Sequence, residues 1–249
     1  MASRKHRSRS SSRSWDPVAA WYAGWVGADG SDHHRRLAIP AILDLLAIHR
    51  DDHVIDLGCG PGVLAPPVAQ AGARYTGVDT SPKLLAFARR HHGRIARFIE
   101  ADATALISDA RFAPASVDVV SFLLSIQDIA PLDGALRSAA WVLRSGGRIA
   151  ILMTHPCFRV PRQSGWGWDA SRRLQFRRVD RYLTKLDVPM KPYGGGRSGS
   201  TRSYHRPLAE YINGLAAHGL LVDRIDEIPG LTDREIPLFL GLRAVKRNS

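Results

Sequence analysis

Two carboxylates and three glycines stand where a strand would hand a ligand over to a turn. Val54-Ile55-Asp56-Leu57-Gly58-Cys59-Gly60-Pro61-Gly62 joins a short apolar strand to a glycine turn, with an acid at the junction. A turn that meets a ligand edge-on needs residues without a β-carbon, and Gly58, Gly60 and Gly62 supply them. The spacing is G-x-G-x-G with Val63 after it, which departs from the G-x-G-x-x-G of folds where a helix N-terminus faces a pyrophosphate. About 20 residues after the first glycine, Arg74-Tyr75-Thr76-Gly77-Val78-Asp79 reads as a second strand ending in an acid, where a carboxylate can accept two ribose hydroxyls. Thr80-Ser81-Pro82 then opens a helix with a capping residue and a proline in its first turn. Three later residues, His155, Tyr204 and His205, could hold or take a proton, and Pro156 biases His155 to extended geometry.

Positioning these groups takes an alternating order of strands and helices. Residues 95–100 read as a third strand running into Ala101-Asp102-Ala103, and 117–123 and 147–154 as a fourth and a fifth. The turn Leu143-Arg144-Ser145-Gly146-Gly147 introduces the fifth strand, with a helix over 136–143 before it. Residues 15–50 read as a helical lead-in whose Leu37, Ile39, Ile42, Leu45 and Leu46 suit an amphipathic helix docked on a sheet. A helix over 207–219 ends at a glycine, and 221–225 and 238–245 complete the strands.

With 249 residues and 45% apolar content, the chain can bury one α/β core and has room for one insertion, so a single domain is expected over 15–249. No apolar run approaches the roughly 18 residues of a membrane span, and no apolar signal region follows the basic N-terminus, which predicts a soluble, cytoplasmic protein. Cys59 and Cys157 read as free thiols, and no Cys/His cluster has metal spacing. The formal charge of +12 is uneven: residues 1–14 carry +5, residues 155–207 carry +9, and the rest is close to neutral. The tail at 1–14 reads as disordered, with weak attraction to RNA or membrane, or a transit peptide, as alternatives.

The segment 155–207 lies between the predicted fifth and sixth strands, over the strand ends where open α/β sheets bind ligands. Trp166, Trp168, Arg177, Arg181 and Tyr182 lie in a run with little β-periodicity, which reads as a lid. Aromatic rings would sandwich a flat acceptor and guanidiniums would hold an anionic group; a solvated basic loop docked by its aromatics is the alternative. Gly194-Gly195-Gly196-Arg197-Ser198-Gly199-Ser200 reads as a flexible loop or hinge.

The glycine turn, the acid at 79 and the L-x-P-G-G-like turn, with Ser145 in place of proline, resemble the class I S-adenosylmethionine (SAM) dependent methyltransferases. Trp15-Asp16-x-x-Ala19-x-x-Tyr22, the run Asp32 to Pro40, His155-Pro156-Cys157-Phe158 and His205-Arg206-Pro207-Leu208-x-x-Tyr211 are similar to a bacterial subgroup of small-molecule methyltransferases. The resemblance implies a Rossmann-like sheet of seven strands, the last antiparallel, with SAM as cofactor and no metal. It implies that Asp56 reaches the methionine ammonium, that Gly58, Cys59, Gly60 and Gly62 form the loop against methionine and ribose, and that Asp79 with Thr80 meets the ribose. Asp102 and Ala103 would flank the adenine, Leu123 would pack near the donor, Tyr22 would close over the methionine end, and Gln127 and Asp128 would face the acceptor.

Residues 121–128, Ser-Phe-Leu-Leu-Ser-Ile-Gln-Asp, lack the Asn/Asp-Pro-Pro-Tyr/Phe element that grips an amide nitrogen, which argues against adenine N6 and protein glutamine as acceptors. The expected acceptor is therefore an oxygen or nitrogen of a small metabolite, anionic or aromatic. Two alternatives stay open: an RNA or peptide methyltransferase docking through tail and lid, and a SAM-binding protein that transfers no methyl group.

Overall fold

A computed structural model describes residues 15–190, 201–232 and 234–247. The basic tail at 1–14 and the glycine-rich run at 194–200 lie outside the described residues. A short lead-in reaches α1 (Ala19–Val26), and a π-helical turn (His34–Ala38) continues into α2 (Ile39–Leu46). Strands and helices then alternate: β1 (His53–Leu57), α3 (Ala65–Gln70), β2 (Arg74–Asp79), α4 (Pro82–His92), β3 (Arg97–Glu100), β4 (Val117–Leu123), α5 (Leu132–Val142) and β5 (Leu143–Thr154). Four short strands follow, β6 (Ser164–Asp169), β7 (Leu174–Val179), β8 (Leu186–Pro189) and β9 (Arg202–His205). The described chain closes with α6 (Leu208–Ala217), β10 (Leu220–Pro229) and β11 (Pro237–Lys246).

Seven strands form one sheet in the order β10-β11-β5-β4-β1-β2-β3. Only β11 runs against the others, antiparallel to both β5 and β10, as the resemblance implied. Alternation along each strand divides the core between two faces. Val54, Val119, Ala150 and Leu152 pack with α2 and α4 on one face. Ile55, Val120, Ile149 and Ile151 pack with α5 and α6 on the other. Burial on both faces is why the central strands read as continuous apolar runs.

Two expectations need correction. The glycine turn before the fifth strand is a bulge inside β5: Val117 pairs with Leu143 but Val119 already pairs with Arg148, so residues 144–147 loop out of register. Gly146 takes a φ of 70° there. The segment 155–207, expected to lack β-periodicity, holds two hairpins, β6 with β7 and β8 with β9. An alternating pattern is legible only where one face is buried. In the β6–β7 hairpin only two short pairs alternate, Trp166 with Trp168 and Leu174 with Phe176, and they stay exposed on opposite faces, so they mark no buried side.

Candidate active site

The carboxyl ends of β1, β2 and β4 surround a cavity of about 550 Å³, a size suited to a small ligand. Its floor is the turn after β1. Gly58 and Cys59 both donate to the Val78 carbonyl, at 2.8 and 3.0 Å, which folds the turn back over β2. Gly58, Gly60 and Gly62 have φ values of 76°, 53° and 78°, in the left-handed region that L side chains avoid.

Asp79 ties the turn to the next helix. One carboxylate oxygen accepts the Gly60 amide at 2.9 Å and the other the Ser81 amide at 2.8 Å. Burial pushes its pKa up, against those amides. A carboxylate offers about four acceptor sites, so two remain for a ligand's hydroxyls. Asp56 accepts the Tyr75 hydroxyl at 2.7 Å on one oxygen, while its other oxygen is buried with no hydrogen-bond partner among the described residues. Burial pushes this carboxyl up to about 6.

Ala101, Asp102, Ala103 and Thr104 line the cavity at the end of β3. Asp102 is held there by the Thr104 amide at 2.8 Å and its hydroxyl at 2.7 Å. Trp15, Tyr22, Val26 and His34 line it from the N-terminal helices. The Trp15 and Tyr22 rings are 4.9 Å apart, and burial, then the charges of Asp128 and Asp79, hold the Tyr22 phenol above its ordinary pKa.

The loop after β4 brings Leu123, Leu124, Ser125 and Asp128 to the cavity, and β9 brings Arg202 and Tyr204. Arg206 fastens these two parts: its guanidinium donates to the Ile126 carbonyl at 3.3 Å and to the Ile129 carbonyl at 2.6 Å, and lies 5.2 Å from the Tyr204 ring centre. Burial pushes the Asp128 carboxyl up to about 7, against the Ser203 hydroxyl and the Arg206 charge. A carboxyl poised there can give or take a proton at neutral pH.

The cavity thus collects Tyr22, Asp56, Gly58, Cys59, Gly60, Asp79, Thr80, Asp102, Ala103, Leu123, Asp128 and Tyr204. Eight other candidates lie outside its lining. Gly62 packs against the core instead, since a β-carbon there would stand 2.8 Å from the Phe98 ring. Gln127 turns its amide to the Leu124 carbonyl at 2.6 Å. His155 is buried between Glu227, 2.9 Å from Nε2, and the Cys157 amide, 3.2 Å from Nδ1, so both ring nitrogens are occupied. His205 is buried with Nε2 2.7 Å from the Tyr182 carbonyl, and the Tyr182 hydroxyl accepts the Leu208 amide at 2.9 Å.

Arg177 donates to the Phe158 carbonyl at 2.9 Å and the Ser164 hydroxyl at 3.0 Å, close to Trp166, while Arg181 is exposed. Arg202 lines the cavity without any signal in the sequence, while Trp15, His34 and Arg206 stand in the sequence only as members of motifs. Arg206 carried one signal, an arginine beside an aromatic in a motif entering a helix. His34 carried no signal beyond its place in the run Asp32 to Pro40, and in the structure it is buried at the start of the π-helical turn.

The strand order gives this chain the fold of solved SAM-dependent methyltransferases. Residues 55–151, which include the glycine turn and the acid at the end of β2, match the family described as Methyltransferase domain. The chain is 31% identical over 152 residues to a ubiquinone biosynthesis O-methyltransferase of Idiomarina loihiensis, covering 57% of this chain and 63% of that one. It is 32% identical over 125 residues to a demethylmenaquinone methyltransferase of Tropheryma whipplei, covering 50% and 49%. The chain therefore spans less than two thirds of the length of these curated relatives. A SAM-dependent methyltransferase from Mesorhizobium loti has the same fold, with a TM-score of 0.72 and 24% identity over 88% of this chain and 100% of that one.

Proposed function

We propose that the protein transfers a methyl group from SAM to an oxygen or nitrogen of a small, planar metabolite. The observation that carries this reading is one cavity lined both by the glycine turn with Asp56 and Asp79 and by Asp128, Tyr204 and Arg202. The unpartnered oxygen of Asp56 suits an ammonium group, and the spare acceptor sites of Asp79 suit ribose hydroxyls. Asp102 and Ala103 would border the adenine. Bound SAM supplies an electrophilic methyl on a sulfonium whose charge is lost in transfer.

The chain's own work is then positioning and proton removal. Tyr22 and Trp15 cover the reacting end and exclude water. Tyr204 offers a ring face to a flat acceptor, and Arg202 a charge to an anionic substituent, in competition with its partner Asp187. Asp128 takes the acceptor's proton as the new bond forms. Two relatives named for ubiquinone biosynthesis and demethylmenaquinone methylation favour an oxygen-bearing ring as the acceptor class. The segment 155–207 would act as a lid through β9, its cavity-lining strand, in place of the outer arginines Arg177 and Arg181.

The test is incubation with methyl-labelled SAM and fractionated cell extract. Label in the small-molecule pool supports this reading, and its loss with Asp128→Asn ties it to the cavity. Label in RNA or protein would overturn it in favour of a macromolecular acceptor, and SAM bound but never consumed would leave a binding protein.

A further inference from the structure

The β6–β7 hairpin stands apart from the sheet, its two strands pairing only with each other. Its root is fastened: Arg159 donates to the carbonyls of Pro237 and Ile236, both at 3.3 Å, and the Asp180 amide donates to the Gln163 carbonyl at 2.8 Å. Past the root, large apolar side chains face solvent. Trp168 is 63% exposed, Leu174 53% and Phe176 42%. They occupy both faces, because Trp168 lies opposite Gln175 while Leu174 and Phe176 alternate to the other side. Arg172 and Arg173 are exposed in the turn at the tip.

Residues 159–183 hold seven arginines against two aspartates. The aspartates lie beside Arg172, at 3.8 Å, and Arg178, at 3.1 Å, in exposed pairs that water screens. No residue of the hairpin lines the cavity, so neither donor nor acceptor accounts for its apolar tip.

Three large apolar side chains exposed together at one hairpin tip suit a contact site. A nucleic acid would use the arginines and the flat rings, yet it has no use for Leu174, since stacking needs only a π-face. A lipid surface uses all of them. Indole rings settle at headgroup depth, aliphatic and phenyl groups reach the acyl boundary, and guanidiniums meet lipid phosphates. We propose that the β6–β7 hairpin is a membrane-surface anchor that seats on anionic bilayers, with Trp168, Leu174 and Phe176 inserted and Arg172, Arg173 and Arg178 on the phosphates. This goes beyond the reading of the cavity and does not depend on it.

The test is flotation of the full chain with vesicles of phosphatidylcholine alone and of phosphatidylcholine mixed with phosphatidylglycerol. The protein is expected to float with the mixed vesicles and not with phosphatidylcholine alone. Trp168→Ser with Leu174→Ser, and separately Arg172→Ser with Arg173→Ser, should each weaken that binding about tenfold or more. Thermal unfolding and SAM binding should stay unchanged in both, because the side chains replaced are exposed. Wild-type protein that fails to float with mixed vesicles would overturn the proposal. So would variants that float as well as wild type, which would assign the attraction elsewhere in the chain. Preference for a structured RNA over vesicles, lost in the same variants, would overturn it in favour of nucleic acid.

Discussion

Asp128 and Asp56 show burial setting chemistry one side chain at a time. Each carboxyl is raised, to about 7 and about 6, because the cavity wall removes the water that would stabilise its charge. For Asp128 the proposed role requires the ionised form. The rate of methyl transfer should rise with pH through about 7 in wild type and lose that step in Asp128→Asn, with kcat down about a hundredfold or more and the SAM Kd nearly unchanged. Stability runs the other way. A folded-state pKa above the ordinary value means that the stabilising contribution is full below the unfolded pKa and is lost as pH rises through the folded one. Asp128→Asn should therefore unfold at a higher temperature than wild type at pH 8; an unchanged or lower Tm there would count against a buried, strained carboxylate. For Asp56, SAM binding followed by calorimetry should tighten as pH rises through about 6, since the ammonium needs the charged form.

At the scale of the element, the turn after β1 separates two uses of glycine. A β-carbon on Gly60 would meet nothing nearer than a Tyr22 ring carbon at 3.6 Å, so it would project into the cavity. A β-carbon on Gly62 would meet the Phe98 ring at 2.8 Å and Ala88 at 3.3 Å. Both substitutions carry the left-handed backbone penalty of roughly 1–2 kcal/mol, but only the second adds a clash in the core. Gly60→Ala should cost mainly SAM affinity, read as Kd. Gly62→Ala should cost mainly stability, with a Tm drop of several degrees. Equal losses of affinity in the two variants would show that both glycines face the ligand.

The whole molecule places the long connection after β5 by clasping its start to an edge strand. His155 sits 2.9 Å from Glu227 on β10, and its other nitrogen accepts the Cys157 amide. Burial lowers its pKa, so the ring is neutral and bonded at both nitrogens rather than poised for proton transfer. His155→Ala should lower stability by about 1–3 kcal/mol by leaving the half-buried Cys157 amide unpaired, while the SAM Kd and the pH dependence of transfer stay as in wild type. Loss of the step near pH 7 in that variant would return His155 to the list of proton carriers.

The sequence by itself determined the sheet and the turn-and-acid side of the cavity. Glycine and acid positions at 58, 60, 79 and 102 are local: a strand, its end and the turn after it are contiguous, so spacing carries the geometry. Continuous apolar runs likewise declared the buried parallel strands. The opposite side of the cavity and the connection at 155–207 were decided only by the tertiary structure. Whether His155, His205 or Tyr204 meets the cavity depends on how a 53-residue connection returns to the sheet. Alternation then turns Tyr204 inward and His205 to the Tyr182 carbonyl. Arg177 looked like an anion clamp in sequence, yet folding satisfies it within its own segment, because a donor near a carbonyl and a hydroxyl bonds to them first. Residue type told which groups could do chemistry; only long-range packing chose which of them share a cavity.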